Sequence, residues 1–478
     1  MKIKNIILAL TVAVLGSACS DWFDVSPKTD IKSDEFFSDE NGFQSALTGC
    51  YVRMTNDETY GKNLSWYFVE KLAQRYDDQI QYIGGITANV YNYTSDYYSK
   101  DEVDEIWLEM YKTIANINNL LFHLDNGGKD IVKTPGYWEL MKGEALALRA
   151  FHHFDLLRLY GPIYKENSSV KCMPYKTSFA NEQAPLLTAT EILNNIIADL
   201  TEAEICLEND PLNWGKDVDE PFVSYRGHRM NKYAVKALLA RVYLYRGSSN
   251  DYVTAGRLAK EIIADCGLNL VTDNTKDVAM FDETLFGLHV HDMEERFDDY
   301  FTTGDARNGQ ELWINRDHGQ ELYEFQTVGI NDIRVRSGYG FYYHNTHGMM
   351  TRKYLPSSDN NYSEKLPLIR LGEIYLIAAE ATGDVTYLNR LRNVRGISRV
   401  YNLDEVTTEA LQDEYAKEFF AEGQLFYFYK RHALKDFYRC PSSLVGSMSA
   451  SQYVLPLPDG EVEFGWVDPE QVENGELN

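Results

Sequence analysis

Apolar residues recur through residues 366–395 at alternating steps of three and four, at Leu368, Leu371, Tyr375, Ala378 and Thr382. That spacing lines one stripe of an α-helix. Gly372, Ala378, Ala379 and Ala381 are small, so a neighbouring helix can approach closely. Gly383 can take the left-handed conformation that ends a helix, Asp384 can cap the next, and Leu388, Leu391 and Val394 give that second helix a buried face. Residues 231–266 repeat the plan, with Asn231 as cap, Ala237, Ala240 and Leu244 on one face, a stop at Gly247, and a restart at Asp251 with Tyr252, Ala255, Ala259 and Ile262. Further helices are expected from Asp39 through Phe43, Ala46, Leu47 and Tyr51, over 64–74, over 102–161 with breaks, and over 190–208. Residues 162–188 read as a connector containing prolines. Two stretches break the helical pattern. Residues 76–99 mix tyrosine with Asp, Asn, Thr and Gly and carry no stripe, which predicts a long irregular loop of the kind that is usually functional. Residues 267–365 hold short apolar runs such as ETLFGLHV, the turn GDARNG and the aromatic, glycine-rich GYGFYYHNTHGMM, which predict strands and extended segments.

Leu371 and Gly372 followed by Tyr375 match the Leu-Gly-x-x-Tyr core of a tetratricopeptide hairpin, and Tyr252, Ala255, Ala259 and Ile262 are spaced like that repeat's second helix. The expected fold is mostly α: a tetratricopeptide-like scaffold of helical hairpins with long loop insertions and a few short strands. Such scaffolds place insertions on one face, often the binding face.

The 478 residues are 44% hydrophobic, enough for a large packed interior. With 46 Lys plus Arg against 72 Asp plus Glu, the formal charge of −26 argues against a nucleic-acid partner, since phosphate binding needs a basic face. Residues 1–18 read as a secretory signal: Lys2 and Lys4 form its charged end, Ile6 to Leu15 its apolar stretch, and Gly16, Ser17 and Ala18 its small-residue end. Cys19 directly follows and is the expected lipid acceptor of a bacterial lipoprotein. Residues 19–38, with Pro27, read as an extended tether. No later stretch is long and apolar enough to span a bilayer. The other cysteines, at 50, 172, 206, 266 and 440, show no Cys-x-x-Cys pair and are expected as buried free thiols, with room for one bridge.

Tyrosine stands out, at 34 residues against 22 phenylalanines, with many in polar loops where core packing is no reason for them. An aromatic face suits the C–H face of a sugar ring while the phenol edge stays wet. Tyr91, Tyr93 and Tyr97, with the carboxylates of Asp77 and Asp78 as hydroxyl acceptors, form the first candidate site. Tyr339, Tyr342, Tyr343 and Asn345 form a supporting one. His289 and His291 alternate along an expected strand beside Asp292, and His344 and His347 stand three apart. No third ligand group stands at helix spacing and the histidines are otherwise scattered, so no metal site is assigned. Glu294, Glu295, Asp298 and Asp299 are expected as a solvated face, with a structural calcium ion left open. Phosphate-binding loops, dinucleotide fingerprints and the Gly-x-Ser-x-Gly nucleophile turn are absent. No cofactor is therefore expected.

IRLGEIYLIAAEA followed by LNRLRNVRGI, then a long helix containing EYAKEFFAEGQLFYFYKR, resembles the C-terminal half of the SusD/RagB family of surface nutrient-binding lipoproteins. KGEALALRAFHHFDLLRLYGPIY from Lys142, EIWLEMYKTIANINNLL from Glu105 and YVLPLP from Tyr453, the last as a strand, resemble other family segments in the family's order. The resemblance implies one SusD-like domain over 39–478, with helical parts at 39–266 and 366–478 and a ligand-side insertion at 267–365. It implies a non-catalytic protein, lipid-anchored on the outer face of the outer membrane, that binds oligosaccharide or polysaccharide and acts as the lid of a SusC-type TonB-dependent transporter. A peptide-binding RagB-type protein and a glycoside hydrolase are the alternatives.

Overall fold

The computed structural model describes residues 33–77, 91, 93, 97–180, 182–212, 214, 220–301, 312–336, 338–344, 348–355, 362–437 and 447–464. The helices that carry the architecture are α1 (Glu40–Met54), α2 (Tyr97–His123), α3 (Tyr137–Tyr160), α4 (Ala189–Cys206), α5 (Lys232–Arg246), α6 (Ser249–Asp265), α7 (Leu371–Thr382), α8 (Val385–Val394), α9 (Thr408–Glu418) and α10 (Leu425–His432). From α1 to α8 each helix packs on its successor. That chain-order stacking is the architecture of a tetratricopeptide-like scaffold, in which each unit buries its apolar stripe on its neighbours. Short antiparallel strand pairs complete the fold: β1 (Lys171–Met173) with β2 (Leu187–Thr188), β3 (Thr284–His289) with β6 (Lys365–Arg370), and β4 (Phe341–His344) with β5 (Gly348–Thr351). Among the described residues no helix is long and apolar enough to cross a membrane.

Local chemistry explains the helix ends. Asp39 accepts from the Gly42 amide, Asn231 from those of Tyr233 and Ala234, and Asp384 from that of Thr386, each satisfying amides that a helix leaves without an internal partner. Gly247 and Gly383 close α5 and α7 at φ 72° and 69°, where a Cβ would be strained. α6 starts earlier than expected because Ser248 is its cap and Asp251 is the reciprocal third residue of a capping box. A Cβ on Gly256 of α6 would lie 2.7 Å from Thr382 and 3.5 Å from the Ala381 side chain. Small residues thus set the α6–α7 approach.

Several expectations need correction. Leu368 belongs to β6 and not to the helix, which starts at Leu371; the residue falls in step with the α7 stripe by coincidence of spacing. Within 64–74 only Phe68–Leu72 is helical. The long C-terminal helix is two helices, broken where Ala421 and Gly423 take φ 62° and 71°. The buried Glu70 carboxylate accepts from both of their amides, at 3.1 and 2.9 Å, and so holds the break. YVLPLP forms no ladder: Ala450–Tyr453 is a 3-10 turn, and the Leu455 amide donates to Leu159 O at 3.1 Å. Cys50, Cys172 and Cys266 are buried and Cys206 half-buried, all as free thiols; Cys440 lies outside the described residues.

A charge network ties the turn before β3, the end of β6 and the C-terminal helices together. Arg370 meets Glu283, Glu418 and Glu422; Arg395 meets Glu283 and Glu418; Arg334 meets Asp332, Glu414 and Glu418. Burial alone would raise the Glu418 carboxyl, but Arg395, Arg370 and Arg334 outweigh it and hold it well below the usual range. A Cβ on Gly372 would lie 2.5 Å from Glu418 Oε1 and 2.9 Å from Arg370 Nη1. The glycine expected to admit a helix admits charged side chains.

Lys430 is a different case. Its ammonium is buried against the Leu159 and Gly161 carbonyls, at 3.2 and 2.6 Å, and burial pushes it down from 10.5 to about 7. Between those values the unfolded chain holds a proton that the folded chain does not, so stability should rise with pH through that window. Denaturant midpoints at pH 6.5 and 9 should show this rise, and Lys430→Met should reduce it, part of the remainder belonging to Lys71, which burial lowers to about 8. An unchanged rise in the variant would assign the effect elsewhere.

Candidate glycan-binding face

The two non-helical insertions meet where the start of the first, at Asp77, bonds to residues 313–318 of the second. Tyr76 is buried, its hydroxyl donating to Trp66 O at 2.6 Å, and it anchors the start of the first insertion. Next to it the Asp77 amide donates to Trp313 O at 2.9 Å. The Asp77 carboxylate accepts from the Asn315 amide and lies 2.7 Å from His318 Nδ1. Burial raises the Asp77 carboxyl, against the pull of the Asn315 amide and the His318 ring. Asn315 caps the short helix Arg316–Leu322 by accepting from the Asp317 amide. Ile314 forms a two-bond bridge with Met349 of β5, at 2.9 and 2.8 Å. The fit is close: a Cβ on Gly319 would lie 2.3 Å from the Met349 sulfur, and one on Gly348, at φ 105°, 2.3 Å from Ile314 O.

This juxtaposition places Trp313, half-buried, between Asp77 and the β4–β5 hairpin, with Asn315 and Arg316 exposed beside it. On the hairpin, Tyr342 pairs with Met350 and Tyr343 with Met349, so the two tyrosines alternate between faces. Both are half-buried, and Tyr339 at the preceding turn is 40% exposed. Burial raises the Tyr343 phenol while the Arg316 charge lowers it, which puts the short helix and the hairpin within electrostatic reach. Tyr300, half-buried, accepts the Leu312 amide at 2.8 Å and stands over Trp66 at 5.2 Å between ring centres. Partly exposed rings interleaved with amide, guanidinium and imidazole groups form a surface suited to sugar rings and their hydroxyls.

Of the residues singled out in the sequence, Asp77, Tyr339 and Tyr342 are brought to this face, while Tyr343, in register with Met349 and Ile314, turns to the opposite side of the hairpin with its ring 6.3 Å from that of Phe325. Tyr91 and Tyr93 are a correction: they are 7% and 6% exposed, with hydroxyls donating to Leu72 O at 2.7 Å and Gln452 O at 2.9 Å. Their rings pack on each other at 6.4 Å and fasten the loop to the scaffold. Asp77 also changes role, since both its oxygens bond within the protein and brace the face. Tyr97 lies in the first turn of α2, five residues before the expected helix start, with its side chain outside the described residues; Asp78, Asn345 and Cys19 lie outside them as well. Sequence reading missed Trp313, Asn315, Arg316 and His318. A lone Trp before the cap-like NRDHGQEL, inside an insertion without a stripe, was the available signal.

A cavity of about 500 Å³ lies elsewhere, between α2, the 174–186 connector and Leu457–Glu461, with Trp107, Tyr111, Lys112 and Phe179 in its wall. It takes no residue from either insertion loop at the face.

Comparison with known proteins adds the family. A family model described as starch-binding associating with outer membrane matches residues 21–244, and a SusD family model matches residues 223–463. SusD-like protein P25 of Formosa agariphila is 24% identical over 218 residues, covering 43% of this chain and 38% of that protein. The chain spans about half the length of the curated relatives it matches, or less. A SusD superfamily protein from Bacteroides thetaiotaomicron, solved by crystallography, superposes with a TM-score of 0.70 at 22% identity, over 89% of this chain and 98% of that one. A crystal structure with xylogluco-oligosaccharide gives a TM-score of 0.64 at 16% identity, over 88% and 97%. Identities this low carry the fold alone. With the SusD family model spanning half of the sequence by itself, the chain belongs to the SusD/RagB family.

Proposed function

We propose that this chain is a non-catalytic, lipid-anchored surface protein that captures oligosaccharide on the Trp313–Tyr342 face and delivers it to a SusC-type TonB-dependent transporter, as its lid. The observation that carries the reading is the convergence of both insertions, through Asp77, Trp313 and Ile314–Met349, into one aromatic and polar surface. The outer-membrane, starch-binding description of the matched family and the xylogluco-oligosaccharide held by a protein of the same fold support it. Asp77 has both oxygens engaged, which suits a brace better than a general acid. Native gels containing starch, xyloglucan and other neutral polysaccharides test the ligand. Retardation by at least one polymer is expected, and migration unchanged in all of them, with retention on immobilised peptides, would move the protein to the peptide-binding branch.

Anchoring is tested separately. Cys19→Ala should move the protein from the washed outer-membrane fraction to the soluble one, because acyl chains contribute roughly 0.8 kcal/mol per buried CH₂. Recovery of the variant with membranes at the wild-type level would contradict the lipid anchor. Partnership predicts copurification with a large β-barrel in mild detergent, since a lid must bury on the order of 1,000 Å².

A further inference from the structure

His289 ends β3, His291 and Asp292 follow it, and Glu364, the residue before β6, joins them from a distant part of the chain. His289 pairs with Lys365 as the last rung of the β3–β6 ladder, and the Val290 amide donates to Glu364 O at 2.8 Å. Residues 290–292 therefore run past Glu364, whose carboxylate accepts from the Asp292 amide at 3.0 Å. Asp292 and Glu364 both take left-handed backbone, at φ 60° and 59°, a conformation uncommon for residues other than glycine, though Asp adopts it more readily than most. The ligand atoms of His291, Asp292 and Glu364 all lie within 4.8 Å of one another. His291 Nε2 is 3.2 Å from Asp292 Oδ1, His291 Nδ1 is 3.6 Å from Glu364 Oε1, and His289 Nε2 is 3.6 Å from Glu364 Oε2. Donor atoms about 2.0–2.2 Å from a tetrahedral ion stand roughly 3.3–3.6 Å apart, so His291 must turn one ring nitrogen toward both carboxylates, and the exposed His289 must swing in from Glu364 Oε2, to complete a shell around one.

We propose that His291, Asp292 and Glu364, with His289 as fourth ligand, bind a divalent transition cation of the zinc class. His289 is prepared for the role: its Nδ1 lies 3.2 Å from the Glu364 carbonyl, which can only accept, so the proton sits on Nδ1 and Nε2 keeps the lone pair a metal needs. Imidazole in the donor set selects zinc, nickel or copper over calcium and magnesium, which prefer all-oxygen shells. The neighbouring cation is drawn aside, Lys365 Nζ lying 4.9 Å from the Phe281 ring centre. A bound ion would pin the end of the β3–β6 ladder to the helix Met293–Phe301 that follows Asp292. That helix packs Phe297 and Phe301 on Trp66 at 5.4 and 5.9 Å and carries Tyr300 at the glycan face. The ion is therefore a staple beneath that face and takes no part in chemistry.

Zinc chloride titrated into metal-stripped full-length protein, followed by calorimetry and a thermal scan, tests the site. One saturable ion per chain and a melting temperature raised by several degrees are expected, with affinity falling about tenfold or more in both His291→Ala and Glu364→Gln. Unchanged circular dichroism of the two variants without metal separates lost ligation from lost folding. Absence of saturable zinc binding, or equal affinity in both variants and the wild type, would overturn the proposal. So would calcium chloride stabilising the wild type as strongly as zinc.

Discussion

Glu418→Gln is expected to destabilise the protein by roughly 3–5 kcal/mol, the cost of removing one partner from a buried ion pair and leaving the others uncompensated. Arg334, Arg370 and Arg395 all reach Glu418, at side-chain exposures of 3% or less. A glutamine keeps the volume but loses the charge and turns N–H donors toward guanidinium donors. The matching change at the surface, Glu261→Gln, removes a partner of Arg257 in a pair 58% and 34% exposed and should cost no more than about 1 kcal/mol. Urea titrations of the two variants check the contrast. A Glu418→Gln midpoint as close to wild type as that of Glu261→Gln would mean the network contributes specificity without stability.

At the glycan face the largest effect should come from Trp313→Ala combined with Tyr342→Ala. Each ring is expected to supply roughly 1–2 kcal/mol of stacking, so the double variant should bind polysaccharide tens to hundreds of times more weakly. Both rings are half-buried and lie outside the stacked helices, and the melting temperature should change little. Tyr93→Ala should do the reverse. Its ring is 6% exposed and its hydroxyl holds Gln452 O, so the variant should lose stability and retain affinity. Calorimetric titration paired with a thermal scan on each variant separates the two roles.

The helical scaffold was legible in sequence because its signals are local. Apolar periodicity, Gly247 and Gly383 at left-handed ends and the caps at Asp39, Asn231 and Asp384 all act within a turn or two of the backbone. What escaped depends on residues distant in sequence. The break between α9 and α10 requires Glu70, some 350 residues away, and Gly372 is small because three chain segments deliver Glu418, Arg370 and Glu283 beside it. The segments that carry the family resemblance prove to be joined by this network: Arg370, Arg395 and Glu418 come from IRLGEIY, NVRGI and KEFFAEG. At the candidate site, composition singled out the two insertions, but it could not tell a ring that fastens a loop from one that faces solvent. Tyr91 and Tyr93 are of the first kind, and Tyr339 of the second. Trp313 was passed over because its placement is fixed by Asp77 and Met349, neither near it in sequence.

The central claim is capture without catalysis at the Trp313–Tyr342 face. It is tested most directly by incubating the wild type and the Trp313→Ala, Tyr342→Ala double variant with the polysaccharide that retards the wild type most, measuring bound polymer and newly released reducing ends in the same samples. The account predicts saturable binding by the wild type, binding reduced at least about tenfold in the folded double variant, and no release of reducing ends by either. Reducing ends that accumulate with the wild type, or equal binding by the double variant, would contradict it.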